Sequence, residues 1–170
     1  GSGFEAFAVG GCVRDCLLGK TPGDCDITTA ALPPEVETVF SDCRLVETGL
    51  RHGTVTVLLD GMSLEITTYR IDGDYKDARH PQSVTFSRNL REDLARRDFT
   101  VNTLCWNEQS GVVDLFDGLK DLNDGVLRAV GEPERRFRED ALRIWRGVRV
   151  AATLGFAVAP RSAETRYKTR

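Results

Sequence analysis

The order VGGCVRDCLLGKTPGDCDITT, from Val9 to Thr29, confines the chain to folds in which a strand, a glycine turn, a short helix and a second, acidic strand follow one another closely. The apolar run from Phe4 to Val9 predicts a strand that stops at Gly10-Gly11, where the absence of side chains lets backbone N–H groups approach a ligand. Cys12, Val13, Cys16 and Leu17 then recur at helical spacing as far as Gly19. Gly10 and Gly11 therefore stand at a helix N-terminus, where unpaired N–H groups and the helix dipole favour phosphate; Arg14 adds a full positive charge. Gly19, Pro22 and Gly23 predict a reversal. The alternation in DCDITT predicts a strand with Asp24 and Asp26 on one face, about 6.5–7 Å apart along the backbone. Two such carboxylates repel each other unless a cation lies between them. Hard oxygen ligands suit magnesium, which completes its shell with water and substrate phosphate.

Each part alone has an ordinary structural explanation, since Gly-Gly occurs in tight turns and Asp-x-Asp on solvated strands. A length of 170 residues suits one domain with a substantial core, or a compact domain followed by a helical extension. No apolar run approaches a membrane span and no signal-peptide pattern opens the chain, which predicts a soluble cytoplasmic protein. Residues 1–3 read as a cloning scar. Cys12, Cys16, Cys25, Cys43 and Cys105 form neither a CxxC pair nor an even set, so reduced, buried thiols are expected. From Arg128 to Arg170, 11 Lys/Arg stand against 5 Asp/Glu, whereas the preceding residues carry 12 against 21. An acidic half suits metal and a basic end suits a polyanion, although a solvated helix face explains the same charges.

Further along, Ala30 to Asp42 predicts a helix opened by prolines, with Val36, Val39 and Phe40 as its apolar stripe. Cys43 to Glu47, Gly53 to Leu59 and Ser63 to Tyr69 read as strands of an antiparallel sheet, with a hairpin turn at Asp60-Gly61. Glu65 shares a strand face with Thr67 and Tyr69, either as a surface residue or as a third carboxylate. Ile71 to Gln82 is polar and without period, and reads as a long loop. The stretch NLREDLARRDFTVNTLCW, from Asn89, predicts a helix with Leu90, Leu94 and Val101 or Leu104 inward and Arg96, Arg97 and Asp98 clustered on it. VVDLFDG reads as a strand and turn, and LKDLNDGVLRAVG as another loop and strand. Glu132-Pro133 opens a long amphipathic helix ending near Gly155, striped by Phe137, Leu142, Trp145, Val148 and Ala152. Within it, Asp140 and Arg143 share a face, as a salt bridge or as a pair that addresses ring acceptors and an exocyclic amine on a base edge. His52 and His80 lack zinc-site spacing, and Gly10-Gly11 lacks the GxGxxG spacing of dinucleotide enzymes.

The combination GGxVRDxLLGxxPxDxDI, followed by RRDFTxN and EDxxR, strongly resembles the class II tRNA nucleotidyltransferase and bacterial poly(A) polymerase family. The resemblance runs from about Phe4 to Phe156. It implies an α+β fold, a polymerase-β-like nucleotidyltransferase head at 4–128 (mixed or antiparallel sheet flanked by helices), then the truncated start of a helical neck at 129–170. It further implies that Asp24, Asp26 and Glu65 are catalytic and hold two Mg2+ ions, and that Gly10, Gly11 and Arg14 hold the triphosphate. Arg97 and Asp98 contact the ribose with Asn102 nearby, and Glu139, Asp140 and Arg143, with Arg146, address the base. The implied reaction is template-independent addition of C and A from CTP and ATP to a tRNA 3′ end, without DNA or membrane partners. Poly(A) addition, or nucleotide and RNA binding by a fragment inactive without its remaining domains, are the alternatives. The family's usual form near Asp114 is closer to D-P-F/Y-G-G, so Leu115 and Asp117 are departures.

Overall fold

The computed structural model describes residues 2–73, 83–140 and 142–160. The predicted opening is present as β1 (Ala6–Val9), α1 (Gly11–Leu17) and β2 (Asp26–Thr29), followed by α2 (Pro33–Val39), β3 (Arg44–Gly49), β4 (Thr54–Leu59) and β5 (Met62–Thr68). Next come β6 (Arg70–Asp72) and β7 (Val84–Phe86), then α3 (Leu90–Ala95), β8 (Cys105–Asn107), β9 (Gly111–Val113) and α4 (Gly118–Asp124). The chain continues with β10 (Val126–Leu127), α5 (Pro133–Glu139), α6 (Leu142–Leu154) and β11 (Ala157–Val158).

Seven strands form one sheet in the order β3-β4-β5-β2-β1-β8-β9. It is mixed, because β2 and β5 run parallel while β1 pairs antiparallel with both β2 and β8. The hairpin turn falls where predicted, with Asp60 and Gly61 both at positive φ (49° and 77°), as the right-handed twist of paired strands favours. On one face Val55, Val57 and Ile66 pack with Val36 of α2, whereas Val39 of the predicted stripe is exposed. Phe7, Val9, Leu94 and Cys105 form a second cluster. A third, built on Val13, Phe99, Val101, Leu104, Leu122 and Leu127, is packed against by Ile144, Val150 and Ala151 of α6.

Four expectations change. The loop read over Ile71–Gln82 begins as a strand, since β6 pairs with β7; residues 74–82 lie outside the described residues. The helix read from Asn89 to Trp106 stops at Ala95. Asn89 caps its start, accepting from the Arg91 amide at 2.9 Å. Beyond Arg97 the backbone turns to other partners, with Thr100 N donating to Arg128 O at 2.9 Å and Phe99 bridging Ala129. The α-helix does not resume there: Thr100–Asn102 form a single 3-10 turn, and Cys105–Asn107 joins the sheet. The segment read as a loop after Gly118 is α4. Asp114 holds its start, accepting from Gly118 N at 2.8 Å and Leu119 N at 2.9 Å, which two otherwise orphaned helix amides require.

The fourth change concerns the long final helix, which is broken at Asp140. That residue takes extended dihedrals (φ −148°, ψ 104°), and its carboxylate accepts from Leu142 N at 2.9 Å. An aspartate that can cap a second helix competes with continuation of the first. The break also rotates α6, leaving Leu142, Trp145 and Val148 exposed while Arg143 and Gly147 are buried.

Asp117 precedes α4 at φ 58°, a left-handed conformation that a glycine would adopt without the Cβ penalty. Asp117→Gly is expected to stabilise the fold by about 0.5–1 kcal/mol after the extra unfolded-state entropy is counted. The readout is a higher urea midpoint at unchanged m.

Candidate active site

Register places the acidic residues. Val9 faces Asp26, Asp26 faces Glu65 and Glu65 faces Thr56 across β1, β2, β5 and β4. Residues in register point to the same side of a sheet, with neighbouring strands about 4.8 Å apart. The next row on that side, Phe7, Thr28, Thr67 and Thr54, is partly covered by α3, where Thr28 Oγ1 donates to Asp93 Oδ2 at 2.8 Å. Leu94 of α3 covers Val9 at the β1 end of the first row, whereas Asp26 and Glu65 lie exposed side by side. Asp24 is also exposed but precedes β2 instead of sharing it, because the strand begins only at Asp26. Tyr69, read on the same face as Glu65, lies beyond β5 and is fully buried, donating from its hydroxyl to Glu5 Oε1 at 2.8 Å. Among the described residues no three acidic, histidine or cysteine side chains gather closely enough to form a complete metal cage. Two adjacent, exposed carboxylates nevertheless match what magnesium takes from a protein when substrate phosphate and water supply the rest.

Beside this row is the glycine turn. Gly10, at φ 83°, a conformation that favours glycine, donates its amide to Leu104 O at 3.1 Å and lies against Arg97, whose Nη1 would be in ordinary contact, 3.5 Å, with a Cβ there. Arg14 folds back over Gly11 in the same way and donates from Nη1 to Asn102 Oδ1 at 2.8 Å. Asn102 Nδ2 donates to Asp98 Oδ1 at 3.1 Å; Arg146 then joins Asp98 at 3.2 Å to Asp140 at 3.0 Å. Arg14, Asn102, Asp98, Arg146 and Asp140, drawn from segments far apart in sequence, thus form one polar chain. Arg97 sits within it, its cationic form disfavoured by burial and by Arg96 and favoured by Asp93, Asp98 and Asp26.

The profile of the family described as Poly A polymerase head domain matches residues 6–128. The chain belongs to that family. Across 157 residues this head domain is 54% identical to the CCA-adding enzyme of Lactiplantibacillus plantarum, covering 92% of the chain but 38% of that relative. It is similar to the crystal structure of the Bacillus stearothermophilus CCA-adding enzyme in complex with CTP, with a TM-score of 0.86 and 45% identity over 96% of this chain and 38% of that one. A tRNA nucleotidyltransferase complexed with a primer tRNA and an incoming ATP analog gives a TM-score of 0.75 at 30% identity, covering 96% of this chain and 46% of that one. The polymerase-β-like nucleotidyltransferase fold is therefore the fold of this head domain, which spans about two fifths of the length of the curated relative.

Asp140 and Arg143, beyond the matched head-domain residues, do not face each other as an exposed helical pair. Asp140 is the hinge between α5 and α6, and Arg143 is buried, donating from Nη1 to Arg136 O at 3.3 Å and from Nη2 to Arg96 O at 3.0 Å. Both are anchored beside the ribose-motif residues by α6 packing against Phe99, where Gly147 comes so close that a Cβ would meet the ring at 2.9 Å. Glu139 ends α5, and its side chain lies outside the described residues. Sequence reasoning missed Asp93, one of the helical charges of α3. It is fully buried, accepts from Thr28 and Arg70 N, and pairs with Arg96 at 3.0 Å and Arg97 at 3.7 Å. Helical spacing cannot mark such a residue; only the docking of α3 on the sheet buries it.

Proposed function

We propose that this head domain, residues 4–128 with the start of a helical neck at 129–170, is the catalytic part of an enzyme that adds C and A to tRNA 3′ ends from CTP and ATP, releasing pyrophosphate. The observation that carries the reading is the polar chain from Arg14 to Asp140 alongside the open Asp26 and Glu65 carboxylates, which gathers groups suited to a triphosphate, a ribose and a base edge. Relatives and structural neighbours named as CCA-adding enzymes, one complexed with CTP, support the choice of reaction. A neighbour complexed with primer tRNA and an ATP analog supports the other two partners.

Asp26 and Glu65, with Asp24 beside them, would hold two Mg2+ ions. Magnesium bound there would acidify the primer 3′-hydroxyl and neutralise charge on the triphosphate. The chain's own groups do the positioning. Arg14, at the Gly10-Gly11 turn, meets the triphosphate, and Arg97 and Asp98 hold the ribose, where a carboxylate can accept from the 2′-hydroxyl and so prefer ribonucleotides. Arg146 fixes Asp98 relative to Asp140, so the ribose-binding and base-reading groups keep one spacing. Asp140 and Arg143, with Glu139, address the amine and ring acceptors shared by cytosine and adenine. The reaction belongs to the cytoplasm, where its tRNA substrate and nucleotides meet.

The test is incubation with a tRNA lacking its 3′ end and each nucleotide separately, with products resolved by length. C from CTP and then A from ATP are expected. The basic residues after Arg128 suit the RNA backbone, so addition should fall as salt rises. Long A tracts from ATP without use of CTP would instead identify a poly(A) polymerase, and nucleotide binding without product would identify a binding fragment.

A further inference from the structure

Cys12 is the second residue of α1, and Cys25 stands between the two aspartates of DCD, immediately before β2. Register explains why they meet. Val9 faces Asp26, so the glycine turn that launches α1 passes beside the residue preceding Asp26. The Sγ atoms lie 2.7 Å apart. A disulfide needs about 2.0 Å, so the two sulfurs are already within about 0.7 Å of bonding distance. Cys12 is buried, but both cysteines line an apolar cavity of about 490 Å³ together with Cys16, Leu17, Pro22 and Trp106. Nothing in the nucleotide-addition reading uses either thiol.

We propose that Cys12 and Cys25 are a reversible oxidation site, closed by a low-molecular-weight disulfide into an intramolecular disulfide that staples α1 to the acidic strand. One of the two thiols attacks one sulfur of the external disulfide and expels the first small thiol, forming a mixed disulfide. The other then attacks the protein sulfur of that mixed disulfide, its S–S bond breaks and the second small thiol leaves. Two protein thiols are oxidised, one external disulfide is reduced to two thiols, and the two protein protons pass to those thiols. Closing the loop from residue 12 to residue 25 lowers the entropy of the unfolded chain, and the oxidised form should melt about 5–10 °C higher.

The experiment is overnight incubation with oxidised glutathione, followed by intact mass, non-reducing peptide mapping and thermal melting. Loss of two hydrogens, a peptide crosslink between Cys12 and Cys25, a raised Tm and reversal of all three by dithiothreitol are expected. Cys12→Ser and Cys25→Ser should each abolish the crosslink, while Cys16→Ser should retain it. Glutathione adducts without a crosslink, a crosslink that requires Cys16, or an unmodified chain would overturn the proposal. None of these readouts depends on nucleotide addition, so the outcome is separate from that of the proposed reaction.

Discussion

Asp26→Ala is expected to lower nucleotide addition at least about a hundredfold while leaving the fold intact, the scale set by removal of one electrostatic group at a reacting phosphoryl centre. Asp26 sits at an exposed strand end opposite Glu65, so truncation opens no cavity and relieves repulsion between like charges. Melting temperature should therefore stay the same or rise slightly while turnover falls. Glu65→Ala should behave similarly, because its register with Asp26 sets the two carboxylates side by side, where one cation would meet both. Primer extension in magnesium, read beside a thermal melt, separates the two effects. Near-normal turnover by Asp26→Ala would sink the metal assignment.

Arg143→Ala is expected to affect both stability and base choice. In the fold, its guanidinium donates to the Arg96 and Arg136 carbonyls from a buried position; truncation takes that donor from the Arg96 carbonyl, while the Arg136 carbonyl keeps the Asp140 amide at 3.3 Å. A buried acceptor left without a donor costs about 1–3 kcal/mol when it cannot reach water. A loss of about 1–3 kcal/mol would lower Tm by about 2–12 °C in a domain of this size. Base choice is a separate readout at a temperature where both variants are folded. Hydrogen bonds lost from a base edge are worth about 1–3 kcal/mol of discrimination, so the preference for CTP and ATP over UTP and GTP should narrow. Destabilisation with unchanged relative use of the four nucleotides would make Arg143 a purely structural arginine that ties α6 to the segment after α3.

The two substitutions differ because Asp26 lies exposed at a strand end, whereas Arg143 is enclosed by elements distant in sequence. The same contrast separates what could be read from the residues alone from what required folding. The strand before Gly10, the turn at Asp60-Gly61, the proline-started helices and the acidic strand all follow from local chemistry: dihedral freedom, side-chain period and capping act within a few residues. Local chemistry also placed Gly10, Gly11, Arg14, Asp26 and Glu65 on the correct elements, and the ordered motifs pointed to the family.

Local periodicity failed where a distant partner outweighed it. The helix from Asn89 stops because Phe99 and Thr100 bond to Ala129 and Arg128, and the final helix breaks because the Asp140 carboxylate caps α6 and meets Arg146. A helical wheel records which side chains share a face, but not whether another backbone or cation will compete for one of them. Asp93 was likewise invisible, since its burial exists only once α3 lies across Thr28. Residue order was enough to determine the opening strand, glycine turn, helix and acidic strand, because each depends on neighbours in the chain. The joining of Arg14, Asn102, Asp98, Arg146 and Asp140 into one chain of hydrogen bonds and ion pairs was decided by tertiary structure alone, because the sheet order and α6 packing that bring them within reach are set by contacts between residues far apart in sequence.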